Sequence, residues 1–179
     1  LIGEHTDYND GFVLPVAIDR WIVMSGRRLA GREVVVHALD RRGRVSFSLD
    51  ELDPARAKSL PAWARYVAGT LWSLELEGFR AGGIEIAFTG SVPQGMGLSS
   101  SAALEVAAGF LAVRLHGLEL PRVRLARVGQ RAENHYVGVN CGIMDQFTSA
   151  LGAAGRALLL DCRSLEHRPL PLPEDIALF

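Results

Sequence analysis

A glycine- and serine-rich segment is the part of the sequence best suited to hold an anion. It reads PQGMGLSSSA over residues 93–102, after a stretch that alternates like a strand and before a helical pattern. Such a turn brings backbone N–H groups together on a phosphate, and Gly95 and Gly97 would let the backbone approach it closely. Hydroxyl groups that could cap the helix, hold phosphate oxygens or reach a metal ion follow at Ser99, Ser100 and Ser101. An ordinary serine-capped helix is the alternative for the loop alone.

A second polar cluster, GEHTDYNDG over residues 3–11, has three ionisable side chains within four positions, at Glu4, His5 and Asp7. Clustered hydrogen-bond acceptors are what a polyhydroxylated ligand such as a sugar needs. An exposed polar turn closed by the Asn-Asp-Gly sequence is the simpler interpretation of this segment taken alone.

Two further carboxylates are placed where they could take part in catalysis. Asp145 lies in CGIMDQF, residues 141–147, at a predicted helix start. It could remove a proton from a substrate hydroxyl, orient that hydroxyl for in-line attack on a phosphate, or only neutralise the helix end. Glu133, in the preceding helix, could supply an oxygen ligand for Mg²⁺ together with a serine hydroxyl, although most helix glutamates are simply solvated.

Aromatic and histidine side chains give weaker signals. Trp63 and Tyr66, three positions apart on a predicted helix, could line a pocket for a nucleotide base or merely pack together. The histidines His37, His116 and His167 are scattered and suggest no metal site.

Composition excludes several classes of protein. The only lysine among the 19 basic Lys and Arg residues is Lys58, so the GxxxxGK[ST] phosphate loop is absent, as are the HRD and DFG motifs of protein kinases. A net charge of −1 in 179 residues predicts no nucleic-acid partner. No apolar run is long enough to span a bilayer, and the two cysteines lack CxxC spacing, so we expect a cytoplasmic protein without a membrane partner.

Elements that could position these groups follow from hydrophobic periodicity. Strands are expected over residues 33–39, 44–49, 84–88 and 156–161, with a hairpin turn at 40–43 and a polar loop at 53–59, and residues 12–27 are expected to be extended with one turn or bulge near Pro15. Helices are expected over residues 59–74, 102–115, 120–136 and 143–151. This order predicts a two-layer α+β domain. The chain opens and closes inside apolar stretches, so residues 1–179 are expected to be one domain truncated at both ends.

Taken together, the motifs resemble those of galactokinases. LIGEHTDYNDGFVLP at residues 1–15 is similar to the galactokinase signature, and PQGMGLSSSAALEVA at 93–107 to the phosphate loop of the galacto-, homoserine, mevalonate and phosphomevalonate (GHMP) kinase superfamily. CGIMDQF, followed by LLLDCRSLE at 158–166, again resembles galactokinase. The resemblance implies the superfamily's N-terminal domain, of the ribosomal protein S5 domain 2-like type. The family's ferredoxin-like C-terminal domain, and its catalytic arginine ahead of the signature, would be absent from this chain.

The resemblance also implies roles for individual residues. The positions matching galactose ligands are Glu4, His5, Asp7, Gly142 and Asp145, and Asp145 also matches the catalytic aspartate. The positions matching the ATP phosphate loop are Gly95, Gly97, Ser99, Ser100 and Ser101. Ser101 and Glu133 match the Mg²⁺ ligands, and Trp63 and Tyr66 match the edge of the adenine pocket.

The activity implied is transfer of the γ-phosphoryl group of ATP to the C1 hydroxyl of α-D-galactose, giving galactose 1-phosphate and ADP. The alternatives are a kinase for a related sugar such as N-acetylgalactosamine, a regulator that binds galactose and ATP without catalysis, and a structural α+β domain. The chain is expected to be monomeric, and without the family's remaining parts we expect it to have little kinase activity by itself.

Overall fold

The computed structural model describes residues 2–93 and 97–173, which form two β-sheets packed against helices. The strands are β1 Phe12–Val13, β2 Ile22–Leu29, β3 Glu33–Ala38, β4 Gly43–Ser48, β5 Gly83–Gly90, β6 Arg156–Asp161 and β7 His167–Pro171. The helices are α1 Ala62–Leu76, α2 Ser100–Leu115, α3 Arg122–Arg131 and α4 Met144–Leu151, with a π-helical turn, Ala132–Val137, directly after α3. The α+β class predicted from the sequence is confirmed.

The larger sheet has four strands in the order β2-β5-β3-β4. Strand β5 runs antiparallel to β2 and parallel to β3, and β3 and β4 form the predicted hairpin. Alternate residues of β5, Ile84 and Ile86, are fully buried against Val67 and Leu71 of α1. This core holds α1 and α2 on one face of the sheet, so the loop from β5 into α2 has a rigid element on each side.

The smaller sheet has three antiparallel strands in the order β1-β6-β7. Its buried residues Val13 and Leu160 share a second core with Leu125 of α3 and Phe147 of α4, which is 0% exposed. The polar turn at residues 4–10 leads into β1, and this core therefore places that turn close to α4.

Several predicted boundaries were wrong. Residues 12–27 do not form one strand: β1 belongs to the smaller sheet and β2 to the larger, with a connection through Pro15 that lacks a backbone donor. The helix expected to end at residue 136 changes to π geometry at Ala132. The polar loop at 53–59 contains a 3₁₀ helix, Pro54–Ser59, whose first turn is capped by the Asp53 carboxylate. Strand β7 was not predicted, since its exposed, proline-containing sequence lacks a strand's alternation.

None of the helices in the described ranges is both long and apolar enough to cross a membrane.

Candidate active site

The loop between β5 and α2 ends in two residues with left-handed backbone conformations. Gly97 has φ +69° and Ser99 has φ 57°, a conformation uncommon for a residue with a Cβ. Ser99 is the N-cap residue of α2, yet its side chain makes no capping hydrogen bond, and Ser100 is the first residue of the helix. The first N–H groups of α2 therefore receive no cap from Ser99, which suits an anion site at a helix start. Gly95 lies outside the described residues.

Ser101 and Glu133 lie side by side where α2 meets the π-helical turn. The Ser101 hydroxyl lies close to the Glu133 carboxylate, which is only 6% exposed. Burial raises the pKa of Glu133, and the neighbouring Ser101 hydroxyl opposes this rise. A π turn changes which side chains face inward and recurs at functional sites. A hydroxyl and a carboxylate in contact are hard oxygen donors, so this pair fits the ligand preference of Mg²⁺.

Two fully buried residues behind this pair were missed by the sequence analysis. The Gln146 side-chain nitrogen donates to Oε2 of Glu105 at 3.0 Å and to Oε2 of Glu133 at 2.8 Å. Burial and the neighbouring Glu133 raise the pKa of Glu105 well above its usual range. A carboxyl residue on the buried face of the otherwise apolar helix α2 was the signal that could have identified Glu105.

Asp7 and Gly142 are in direct contact, although 135 positions separate them in the sequence. A Cβ atom added at Gly142 would overlap the Asp7 carboxylate, lying 2.7 Å from Oδ1 and closer still to its other atoms. Burial raises the pKa of Asp7, and the nearby backbone N–H groups of Tyr8 and of Met144, the first residue of α4, oppose this rise. The contact with Gly142 places the polar turn beside the start of the helix that carries Asp145.

Asp145 lies between the two groups of residues. Gly142, three positions before it, contacts the Asp7 carboxylate, and Gln146, directly after it, donates to Glu105 and Glu133. The charge of Asp145 contributes to raising the pKa of Asp7, Glu105 and Glu133. Asp145 therefore lies in the chain between the residue that contacts the polar turn and the residue that binds the buried carboxyl groups.

Glu4 and His5 are exposed on the same polar turn as Asp7. The His5 ring nitrogen Nδ1 lies 2.6 Å from the Tyr8 hydroxyl, and the turn is closed by Asn9 donating to the His5 carbonyl at 2.8 Å. Both residues are thus near the site along the chain, but no hydrogen bond joins either side chain to Asp145.

The two predicted adenine-site aromatics face different neighbours. The Trp63 ring packs on Phe88 of β5 with centroids 5.7 Å apart. Tyr66 is partly buried, and burial together with the charges of Glu133 and Glu105 raises the pKa of its phenol. Tyr66 therefore lies on the Glu133 side of the site, while Trp63 packs on the strand that leads into the glycine-rich loop.

The loop at residues 138–142 is fixed to the π-helical turn by Asn134. The side chain of Asn134 accepts from the Cys141 N–H at 2.8 Å and donates to the Cys141 carbonyl at 3.2 Å. The Cys141 thiol lies 3.5 Å from Glu133, and burial raises its pKa far above the physiological range. Cys141 is thus an uncharged packing group here. In the described ranges, no group of three or more His, Cys, Asp or Glu residues could hold a metal ion without other ligands.

Two family models match the sequence in the regions that build this site. The GHMP kinases N-terminal domain matches residues 65–153, and the galactokinase galactose-binding signature matches residues 1–28. The first range holds the glycine-rich loop, Glu133 and Asp145, and the second holds the polar turn with Asp7.

Solved structures agree with these matches. Galactokinase of Lactococcus lactis, solved with galactose, superposes with a TM-score of 0.88 at 37% identity, over 95% of this chain and 44% of that one. Mevalonate kinase of Methanococcus jannaschii gives 0.72 at 20% identity, over 94% of this chain and 51% of that one. Phosphomevalonate kinase of Streptococcus pneumoniae, solved with phosphomevalonate and AMPPNP, gives a TM-score of 0.61 at 17% identity, over 90% of this chain and 47% of that one. The chain thus spans about half of these proteins or less, and the last two matches speak only to the fold.

Proposed function

We propose that this chain, which belongs to the GHMP kinase superfamily and carries the galactokinase galactose-binding signature, forms the sugar- and nucleotide-binding part of a galactokinase. The reaction would transfer the γ-phosphoryl group of ATP to the C1 hydroxyl of α-D-galactose, releasing galactose 1-phosphate and ADP. Because the chain spans 44% of the lactococcal enzyme, this activity is proposed for the whole protein and not for residues 1–179 alone.

The position of Asp145 carries the proposal. It lies three positions after Gly142, which contacts Asp7 of the galactose-binding signature, and directly before Gln146, which donates to Glu133 beside the start of α2. A sugar held at Asp7 and a phosphate held at α2 would therefore meet near Asp145. There the Asp145 carboxylate would accept the proton of the attacking hydroxyl or orient that hydroxyl towards the phosphorus atom.

On the sugar side, the proposed ligands are Glu4, His5, Asp7 and the backbone around Gly142. The Asp7 carboxylate lies against Gly142, near the backbone N–H groups at the start of α4, and would accept hydrogen bonds from sugar hydroxyls. Glu4 and His5, exposed on the same turn, would reach the outer hydroxyls of the sugar.

On the nucleotide side, the uncapped N–H groups of α2 and the hydroxyls of Ser99, Ser100 and Ser101 would hold the phosphates, with Gly95 and Gly97 allowing their approach. Ser101 and Glu133 would hold Mg²⁺, which when bound offsets the negative charge on the transferred group. Trp63 and Tyr66, both on α1, would border the adenine, and Trp63 packs on Phe88 of β5, the strand that leads into this loop.

The test is ADP release by the full-length protein with Mg·ATP and galactose, N-acetylgalactosamine, glucose or mevalonate. We expect release with galactose, and a loss of about 10²–10⁴-fold in Asp145→Ala, the range typical of a proton-transfer group. Asp19→Ala, which removes an exposed aspartate paired with Arg20, is the matched control and should release ADP as the wild type does.

Other outcomes identify the alternatives. A preference for N-acetylgalactosamine would make the protein a kinase of that sugar. Saturable binding of galactose and ATP without release from any substrate would make it a non-catalytic sensor and would overturn the proposal.

A further inference from the structure

A buried amide joins two buried carboxyl groups behind the proposed metal ligands. The side-chain nitrogen of Gln146 has two hydrogens, and it donates to Oε2 of Glu105 at 3.0 Å and to Oε2 of Glu133 at 2.8 Å. All three side chains are buried: Glu105 and Gln146 are 0% exposed and Glu133 is 6% exposed. Both donor positions of the amide are thus used, one on each carboxyl group.

We propose that Glu105 is a positioning residue for the metal ligand Glu133, acting through the Gln146 amide. The inference rests on the proposed function, because it assumes that Glu133 holds the cation. The Glu105 carboxyl group fixes the rotamer of Gln146, and the Gln146 amide in turn holds Oε2 of Glu133, which would set the orientation of that carboxylate towards the cation.

The packing around Gln146 restricts that side chain, so its orientation is set by its hydrogen-bond partners. A Cβ atom at Gly129 of α3 would lie 3.1 Å from Cγ of Gln146 and 3.3 Å from both Cβ and Oε2 of Glu105. The backbone of α3 therefore closes one side of the pair. Without the Glu105 acceptor, one Gln146 N–H would be buried without a partner, so the amide would turn and release Glu133.

The same amide links the metal ligand to the catalytic candidate. Gln146 directly follows Asp145 in the first turn of α4, so any displacement of Gln146 is transmitted to the start of that helix. The Cys141 thiol also contacts this group, lying 3.5 Å from Glu133 and 3.8 Å from the Gln146 nitrogen. Cys141 can therefore report on the group when neither metal nor nucleotide is present.

Three variants of the full-length protein distinguish the effect of the acceptor oxygen's position from the effect of the Glu105 charge. Glu105→Gln keeps an acceptor oxygen at the same distance, Glu105→Asp keeps the charge but withdraws the oxygen, and Glu105→Met keeps only the volume. Ser73→Ala is the matched control. Like Glu105, Ser73 is a fully buried polar residue, but its hydroxyl has no hydrogen-bond partner among the described residues.

The first measurement needs no metal: the rate at which N-ethylmaleimide labels Cys141, with Cys162 as the internal reference and labelled peptides counted by mass spectrometry. We expect Glu105→Asp and Glu105→Met to accelerate Cys141 labelling at least about tenfold relative to Cys162. Glu105→Gln and Ser73→Ala should stay within about threefold of the wild type.

The second measurement is Mn²⁺ affinity in the presence of ADP by electron paramagnetic resonance, together with the KM for Mg²⁺ and kcat. Loss of a group that orients a metal ligand commonly weakens metal binding about 10–100-fold. We expect that loss, mainly in KM, for Glu105→Asp and Glu105→Met, and recovery to within about threefold in Glu105→Gln.

Two results would overturn the inference. One is that all three variants lose thermal stability but match the wild type in Cys141 labelling and Mn²⁺ affinity, which would make Glu105 purely structural. The other is that Glu105→Asp behaves as wild type while Glu105→Gln fails, which would assign the effect to charge. If the wild type binds no Mn²⁺ with ADP, the proposed function fails instead. The labelling rates then still decide whether Glu105 fixes the side chains of Gln146 and Glu133.

Discussion

Replacing Gly142 by alanine should displace the Asp7 carboxylate and weaken sugar binding. The new Cβ would lie 2.7 Å from Oδ1 of Asp7 and closer to its other carboxylate atoms, whereas ordinary contact begins near 3.4 Å. The carboxylate must therefore move by about 1 Å or more, away from its position beside Gly142. The φ angle of Gly142 is not positive, so alanine is compatible with the backbone and the effect comes from the added methyl group.

The size of the effect follows from the contacts that are lost. A hydrogen bond to a charged group contributes about 1.5–3 kcal/mol, and each 1.4 kcal/mol changes an equilibrium constant about tenfold. If one such bond between Asp7 and the sugar is lost, the KM for galactose should rise by about 10–100-fold while the KM for ATP changes little. The assay is coupled detection of ADP release by the full-length protein with galactose varied at saturating Mg·ATP.

Two controls separate this explanation from general damage. Gly138→Ala, in the same loop, adds a methyl group with no atom within 4 Å at a φ of +84°, so it should lower stability but leave the KM for galactose unchanged. Asp7→Ala removes the group that the new methyl displaces, so adding Gly142→Ala to Asp7→Ala should have almost no further effect. A full, additive loss in the double variant would refute the argument, because Asp7 would not be the route of the damage.

Three other predictions test the core and the buried carboxyl groups. Phe147→Ala should lower the free energy of unfolding by about 3–5 kcal/mol, because the ring is 0% exposed; a loss under 1 kcal/mol in urea titration would contradict this. Because burial raises the pKa of Glu133, its carboxylate should take up a proton at a pH above its ordinary pKa of 4.5. The KM for Mg²⁺ should therefore rise as the pH falls through that range, whereas in Glu133→Gln the KM should be higher and nearly independent of pH. The raised pKa of Glu105 means that above pH 4.5 the folded protein holds a proton that the unfolded chain has lost, so wild-type stability falls as pH rises. Glu105→Gln lacks this penalty and should melt at least about 2 °C above the wild type at pH 7.5, with the difference vanishing towards pH 4.5 in calorimetry; an equal difference at both pH values would contradict the sign.

Local patterns were sufficient to predict most of the secondary structure. Strand β6 and the hairpin at 40–43 were found because a short apolar run and turn residues are properties of adjacent positions. Residues 12–27 were predicted as one extended segment with a turn or bulge near Pro15, whereas the division of this segment between two sheets depends on distant partners, Leu160 for Val13 and Thr89 for Val23. The π-helical turn was not predicted because its side chains continue the helical pattern of α3.

The sequence by itself determined which residue types are present for the chemistry: the glycine-rich loop, the polar turn with Asp7, and the aspartate at the start of α4. Only the tertiary structure decided which of them meet. Asp7 contacts Gly142 across 135 positions, and Gln146 joins Glu105 to Glu133 inside the protein. The physical reason is that burial raises the cost of every unpaired polar group, so the partners of buried groups are set by how helices and sheets pack. A single sequence shows the groups one after another and does not show that packing.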